Sequence, residues 1–298
     1  MTKKSKIFLV IIFLWTWLIG AVMHFANIDL SSIQGIILIA VLYMPSPLVA
    51  ALIAEKGLVK SRIKVPYLRS KQMVVFLLAP VLAIVLFTAL YFAVIYLLGN
   101  VLQVPVFGHI ATTSVEIMKG AADLVGQQAV NEAGTPPPPI VLIVASVWGA
   151  IVAGWTINAL FAMGEEYGWR GLLWEEFKEK GFLKANIIIG SIWGLWHAPL
   201  ILQGYNYPGR PLLGIFLMVL FAIGFSFVLS ALTTRTNSVW PAAAAHGMFN
   251  ALAVLLLMFL VDANALIMGP LGLIGALLFS VIGLIMWTRS DLNIVTTK

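Results

Sequence analysis

Six polar side chains interrupt long apolar runs in the second half of this chain. Glu165, Glu166 and Arg170 lie in Gly164-Glu165-Glu166-Tyr167-Gly168-Trp169-Arg170, His197 ends Trp193-Gly194-Leu195-Trp196-His197, and His246 and Asn250 bracket His246-Gly247-Met248-Phe249-Asn250. Glu166 and Arg170 stand four apart with the acid on the N-terminal side, the favourable order for a salt bridge on one helical face. Glu165 lies about 100° round the helix from Glu166 and has no basic residue three or four positions away, so its partner must come from another helix, with His197 and His246 as candidates. His246 and Asn250, at i and i+4, share a face.

These residue types can hydrolyse an acyl bond. A glutamate in a poorly solvated cavity is a candidate general base towards water, and an imidazole beside it can hold that water or protonate a leaving amine. A second imidazole and an amide can donate to the developing oxyanion. Glu165 suits the first role, His197 the second, and His246 with Asn250 the third, while Glu166 and Arg170 brace them. Alternatively, Glu165, His197 and His246 could hold a zinc ion with one water, a ligand number typical of catalytic zinc. The His-Glu-x-x-His spacing of zinc proteases is absent, which lowers that reading without excluding ligands drawn from separate helices. The site therefore needs either no cofactor or zinc.

The elements that must carry these groups are membrane spans. The 298 residues are 61% hydrophobic and 10% charged, far from ordinary soluble domains. A bilayer core about 30 Å thick needs roughly 20 apolar residues per helix, and eight such runs are legible: 7–23, 33–53, 73–98, 140–174, 185–202, 212–232, 239–261 and 271–287. Long continuous runs in lipid favour helices over barrel strands. The expected fold is thus all-α, a polytopic membrane protein of about eight transmembrane helices with an intramembrane polar cavity. Counted at about 1.5 Å per residue from the inner edges, Glu165 lies ~14 Å deep, His197 ~20 Å, His246 ~12 Å and Asn250 ~18 Å. All four can meet near mid-membrane. A charge at mid-helix costs about 2.5–3.5 kcal/mol, more than packing alone requires of several residues at matched depth.

The chain reads as one membrane unit with three parts: scaffold helices and an outer loop over 1–139, a chemical core over 140–255, and a last helix with its tail over 256–298. Met44-Pro45-Ser46-Pro47 should break or kink the second span, and Pro136 to Pro139 mark entry to the fourth. The connection from Gly99 to Pro139 is expected as an exposed loop. Lys3, Lys4 and Lys6 and the basic connection Ala54–Gln72 place most Lys and Arg on one side, leaving Lys119 and Arg210 opposite, so both termini are expected in the cytoplasm of a cell with the protein in its plasma membrane. The net charge of +6 follows from that asymmetry and from anionic lipid, not nucleic acid. The first span is long enough to be read as a retained anchor rather than a leader. The absence of cysteine closes disulfide and thiolate chemistry.

Other designs fail or weaken by elimination. Asp29, Asp123, Asp262 and Asp291 fall in loops or ends, so no aspartyl pair lies in the membrane. Ser191 lacks the Gly-x-Ser-x-Gly elbow. Single intramembrane histidines and asparagines often serve as interhelical glue, the role expected of Asn158. Two further functions stay open: a proton-coupled transporter, since Glu and His can form a relay, and a noncatalytic immunity or peptide-binding protein.

Taken in order, Glu165-Glu166-x-x-x-Arg170, Trp193-x-x-x-His197 and His246-x-x-x-Asn250 resemble the three motifs of the CAAX prenyl protease and bacteriocin-processing (CPBP, or ABI) intramembrane proteases. The resemblance covers about residues 140–255, with Trp193 where that family usually has Phe. It implies peptide-bond hydrolysis within the membrane, with Glu165 activating water, His197 assisting, His246 and Asn250 stabilising the oxyanion, and Glu166 with Arg170 bracing the site. It also implies a membrane-associated peptide or lipidated, CAAX-like protein as substrate; both metal-dependent and metal-free descriptions of the family exist.

Overall fold

The structure, a computed structural model, describes residues 1–65, 70–134 and 136–288. Arg69, Asp291 and the C-terminal tail lie outside the described residues.

The chain is an all-α polytopic membrane protein. Helix α1 (Lys3–Phe25) starts at Thr2, whose hydroxyl accepts from the Ser5 backbone N–H, supplying the cap that an initiating helix needs. The second span is built from α2 (Ile33–Leu38), a π-helical turn over Ile39–Tyr43 and α3 (Ser46–Glu55). Pro45 and Pro47 provide the physical cause of this interruption: each removes a backbone donor that a continuous helix would use. Helix α4 (Ser70–Ile95) continues through a π-helical turn to Val101.

The connection after α4 is structured, contrary to the simple exposed loop expected from its polarity. It contains strand β1 (His109–Ile110), α5 (Ser114–Val125) and α6 (Gln127–Ala133). Thr113 and Glu116 form a reciprocal capping box that starts α5. This signal was present in the sequence as Thr-x-x-Glu.

The fourth span is broken. Helices α7 (Pro139–Trp155) and α8 (Ile157–Glu166) meet at a 58° bend, with Thr156 between them in a non-helical conformation. A π-helical segment, Tyr167–Leu173, then leads into α9 (Trp174–Phe177). Helix α10 (Phe182–Trp196) has 15 residues, about 22 Å at helical rise, shorter than a full span. It stops at His197 because Pro199 follows, and the short α11 (Ala198–Ile201) turns away. Helices α12 (Pro211–Thr236) and α13 (Trp240–Met258), strand β2 (Leu260–Val261), α14 (Ala265–Met268) and α15 (Leu273–Thr288) complete the chain.

Among the described residues, six helices are long and apolar enough to cross a membrane, and the count is seven if Pro139–Trp155 and its bent continuation Ile157–Lys180 form one span. The eighth run expected from the sequence is the shorter α10. Burial separates centre from rim: 61% of the spanning window of α12 and of α13 is buried, against 28% for α1. The central helices thus contact protein on most sides, and the outer ones present Leu14, Leu82 and Val144 outward, as lipid-facing positions should.

Close approach of these helices depends on small residues. A Cβ at Gly168 would meet Pro47 and Phe8, and one at Gly164 would meet the Met44–Pro45 backbone, so the kink of the second span packs directly against α8 and its continuation. Gly190 and Gly194 similarly let α10 lie on the α12 backbone at Ile223 and Val219. Both pairs have the small-xxx-small spacing that brings membrane helices together.

The two ends of the bundle are fastened differently. At one end, Glu176 accepts from Thr2 N at 2.8 Å, Thr2 Oγ1 at 2.7 Å and Ser5 Oγ at 2.8 Å. There too, Arg62 pairs with Glu55, stacks 5.5 Å over Tyr167 and accepts through its carbonyl from Val239 N. At the other end β1 and β2 pair antiparallel, His109 with Val261 and Ile110 with Leu260.

Candidate active site

Helices α8, α10 and α13 bring five of the six expected side chains to one buried cluster whose hub is Trp193. The indole is 2% exposed. Its Nε1–H donates to Glu165 Oε2 at 2.7 Å, the Arg170 guanidinium lies 4.6 Å over its ring, and the rings of His246 and His197 lie 5.3 and 6.0 Å away.

Glu165 is 2% exposed, and its hydrogen-bond partner is this tryptophan rather than either histidine. Its other oxygen, Oε1, is the one that no protein group holds by a hydrogen bond. A second indole, Trp169, approaches the same carboxylate without closing a hydrogen bond.

Glu166 joins the i,i+4 pair expected with Arg170 at 3.1 Å and also takes His246 Nδ1 at 2.8 Å. His246 had been a candidate partner for Glu165; its hydrogen bond goes to the neighbouring acid. A carboxylate accepts, so Nδ1 carries the hydrogen and Nε2 is the nitrogen left to face the cavity. Arg170 Nη2 donates to Ser226 Oγ at 2.7 Å. Ser226 is a bracing residue that no sequence spacing pointed to, one of five hydroxyl side chains on α12.

His197 terminates α10, and its Nδ1 lies 2.9 Å from the Trp193 carbonyl. The carbonyl can only accept, so this ring also carries its hydrogen on Nδ1 and presents the Nε2 lone pair. The second span fixes this corner: Tyr43 Oη donates to the Trp196 carbonyl and Trp196 Nε1 donates to Ser46 Oγ at 3.3 Å. The proline kink thus has a positional consequence, holding the residue beside His197.

Asn250 is placed differently. It lies one turn beyond His246 on α13 but is exposed, shares its open face with Ala251 and Val254, and makes no hydrogen bond to the cluster. Asn158 takes the gluing role expected of it, donating from Nδ2 to the Gly247 carbonyl at 3.0 Å. Tyr205, in the loop after α11, lies within electrostatic reach of Glu165; burial first and this carboxylate second push its phenol above the usual range.

The alternative zinc set fares less well. Among the described residues no three His, Cys, Asp or Glu side chains are arranged to hold a metal ion, so Glu165, His197 and His246 do not form such a group here. A cavity of about 720 Å³ lies nearer the basic end, lined by Arg62, Trp174, Lys178, Phe182 and Trp287, with Arg170 in its wall. Its lining does not include Glu165, His197 or His246.

Comparison with known proteins agrees with the motifs. Across 49 residues the chain is 41% identical to CAAX prenyl protease 2 of Methanococcus maripaludis, an alignment covering 16% of this chain and 18% of that protein. The aligned part is therefore under a fifth of the relative's length. No solved structure matches the chain. The family model described as Type II CAAX prenyl endopeptidase Rce1-like matches residues 136–252. That segment, holding all six polar residues on α8 to α13, is thus similar to the type II CAAX prenyl endopeptidases that the three motifs resemble.

Proposed function

We propose that this protein is an intramembrane endopeptidase that hydrolyses a peptide bond of a membrane-associated peptide or lipidated, CAAX-like protein, using water activated by Glu165. The observation that carries this reading is the gathering of Glu165, Glu166, Arg170, His197 and His246 around one buried indole.

In this mechanism Glu165 Oε1 takes one proton from water as the oxygen attacks the scissile carbonyl, and the same proton passes to the departing amine. His197 Nε2, with its lone pair outward, accepts from the water's second hydrogen and fixes its direction. The oxyanion is met by His246 Nε2 when that ring carries its second proton, and by the Asn250 amide from the open side. Glu166 and Arg170 do no bond-making; Glu166 holds His246, and the Arg170 cation offsets the carboxylate charge in a poorly solvated site, where preorganised charge acts most strongly.

The catalytic part is assigned to residues 140–255, with 1–139 and 256–298 as scaffold. Thr2, Ser5, Arg62 and Glu176 share one end of the bundle, which supports a cytoplasmic placement of that basic end and of both termini. The substrate's lipid or apolar segment would lie in the bilayer while its peptide bond reaches Glu165 and His197. The test is cleavage of a prenylated peptide in proteoliposomes, read by product mass. Wild-type protein should release a defined fragment and Glu165→Ala should not; equal cleavage by both would refute the assignment.

A further inference from the structure

We propose that Trp193 is a positioning residue whose indole N–H clamps Glu165 Oε2 so that Oε1 is the oxygen offered to water. This rests on the reading of Glu165 as the general base and adds the device that aims it.

Three observations carry the inference. First, the hydrogen bond is short, 2.7 Å, and joins two helices, α8 and α10. A donor to a carboxylate forms the stronger, charge-assisted kind of hydrogen bond. Second, the indole has little freedom to turn. It is 2% exposed, the Arg170 guanidinium covers it at 4.6 Å, and Phe225 packs at 6.1 Å. Arg170 is itself held by Glu166 and Ser226, so the plane of the ring is set by an anchored cation. Third, the two oxygens of Glu165 are unequal: Oε2 is bonded to the indole, and Oε1 has no hydrogen bond within the protein. A free carboxylate could rotate and offer either oxygen, whereas a clamped one offers a single lone pair in a fixed direction, the condition for efficient proton transfer.

The same ring also abuts His197 and His246, and His197 Nδ1 is bound to the Trp193 carbonyl. One residue therefore orients the base through its side chain and the water-holding imidazole through its backbone. A phenylalanine here would keep the ring contacts and the carbonyl but lose the clamp.

The experiment compares four proteins in proteoliposomes with the prenylated peptide: wild type, Trp193→Phe, the same position carrying benzothienylalanine, and Glu165→Gln. Benzothienylalanine keeps the indole shape and replaces the N–H with sulfur, so it separates the hydrogen bond from packing. Loss of a hydrogen bond to a charged group predicts a fall in kcat of about 10- to 100-fold in both Trp193 variants, with KM changed less than about twofold because substrate contacts persist. A wild-type kcat with benzothienylalanine would overturn the inference, whatever Trp193→Phe does, since packing would then be the whole role. If Glu165→Gln is inactive while both Trp193 variants match wild type, the clamp fails and the base stands. Activity in Glu165→Gln would remove both.

Discussion

His246 Nδ1 lies 2.8 Å from Glu166 Oε1, and the other oxygen of that carboxylate lies 3.1 Å from Arg170. Helices α8 and α13 are thereby joined by one acid that serves two partners. All three side chains are at most 5% exposed, so none can exchange its partner for water. The arrangement makes Glu166 a structural pivot and leaves the adjacent Glu165 outside the pair.

Removing that pivot should be expensive. Glu166→Ala strands a buried guanidinium and an imidazole N–H, and breaking a buried pair from one side costs about 3–5 kcal/mol. Thermal unfolding in detergent should show a large fall in midpoint, and cleavage should be lost with it. A midpoint within a degree or so of wild type would mean that Arg170 and His246 have other partners.

Ser226→Ala tests the far end of the same chain of contacts. The hydroxyl accepts a 2.7 Å bond from Arg170 Nη2, and a hydrogen bond to a charged group contributes about 1.5–3 kcal/mol. We predict a stability loss of that order with a smaller effect on cleavage than any change at Glu165. Urea or thermal denaturation of the two variants side by side checks the ranking.

Gly194→Leu should separate α10 from α12. A Cβ there would press on the Val219 backbone, and overpacking a close contact costs typically 1–3 kcal/mol, more when backbone must move. Because His197 ends α10, the same displacement should reduce cleavage even in the protein that remains folded. Circular dichroism and activity on the monodisperse fraction separate these effects.

The capping box outside the membrane gives a prediction in pH. The backbone N–H groups of Thr112 and Thr113 and both hydroxyls hold the Glu116 carboxyl below its usual range, against a smaller opposing effect of burial. Its folded-state value is lowered, so the stabilisation is present above the unfolded value and is lost as pH falls through the folded one. Amide exchange in α5 should therefore quicken below about pH 4, near and beneath the ordinary carboxylate value. Thr113→Ala should show the faster exchange already at neutral pH; unchanged exchange in both tests would contradict the cap.

Much of this architecture was legible in the sequence, and the exceptions have physical causes. Apolar runs reveal spans because lipid forbids polar surface, and the Glu166–Arg170 pair follows from helical spacing alone. The partner of Glu165 was not legible: periodicity gives the face of a helix but not its rotation against a neighbour, and Trp193 stood out only as a residue where the resembled family usually has Phe. Ser226 was hidden for the same reason. The break at Thr156 follows Gly154 by two residues, but a lone glycine in an apolar run does not announce a break; the close approach of Gly154 to α13 at Ala244 and Met248 reveals it. The connection 99–139 looked like a loop because its polarity is high, although Thr113-x-x-Glu116 marked a helix start and the pairing of β1 with β2 spans a sequence distance that local patterns cannot bridge.

Hydrolysis of a prenylated peptide by Glu165→Gln, in vesicles and with folding checked by its unfolding midpoint, bears most directly on whether this carboxylate activates water. Glutamine keeps the shape and can still meet Trp193 but cannot take a proton, so turnover should fall by about 100- to 10,000-fold, the range for losing a general base. Turnover within about threefold of wild type, far outside that range, would show that the bond is cut by other means.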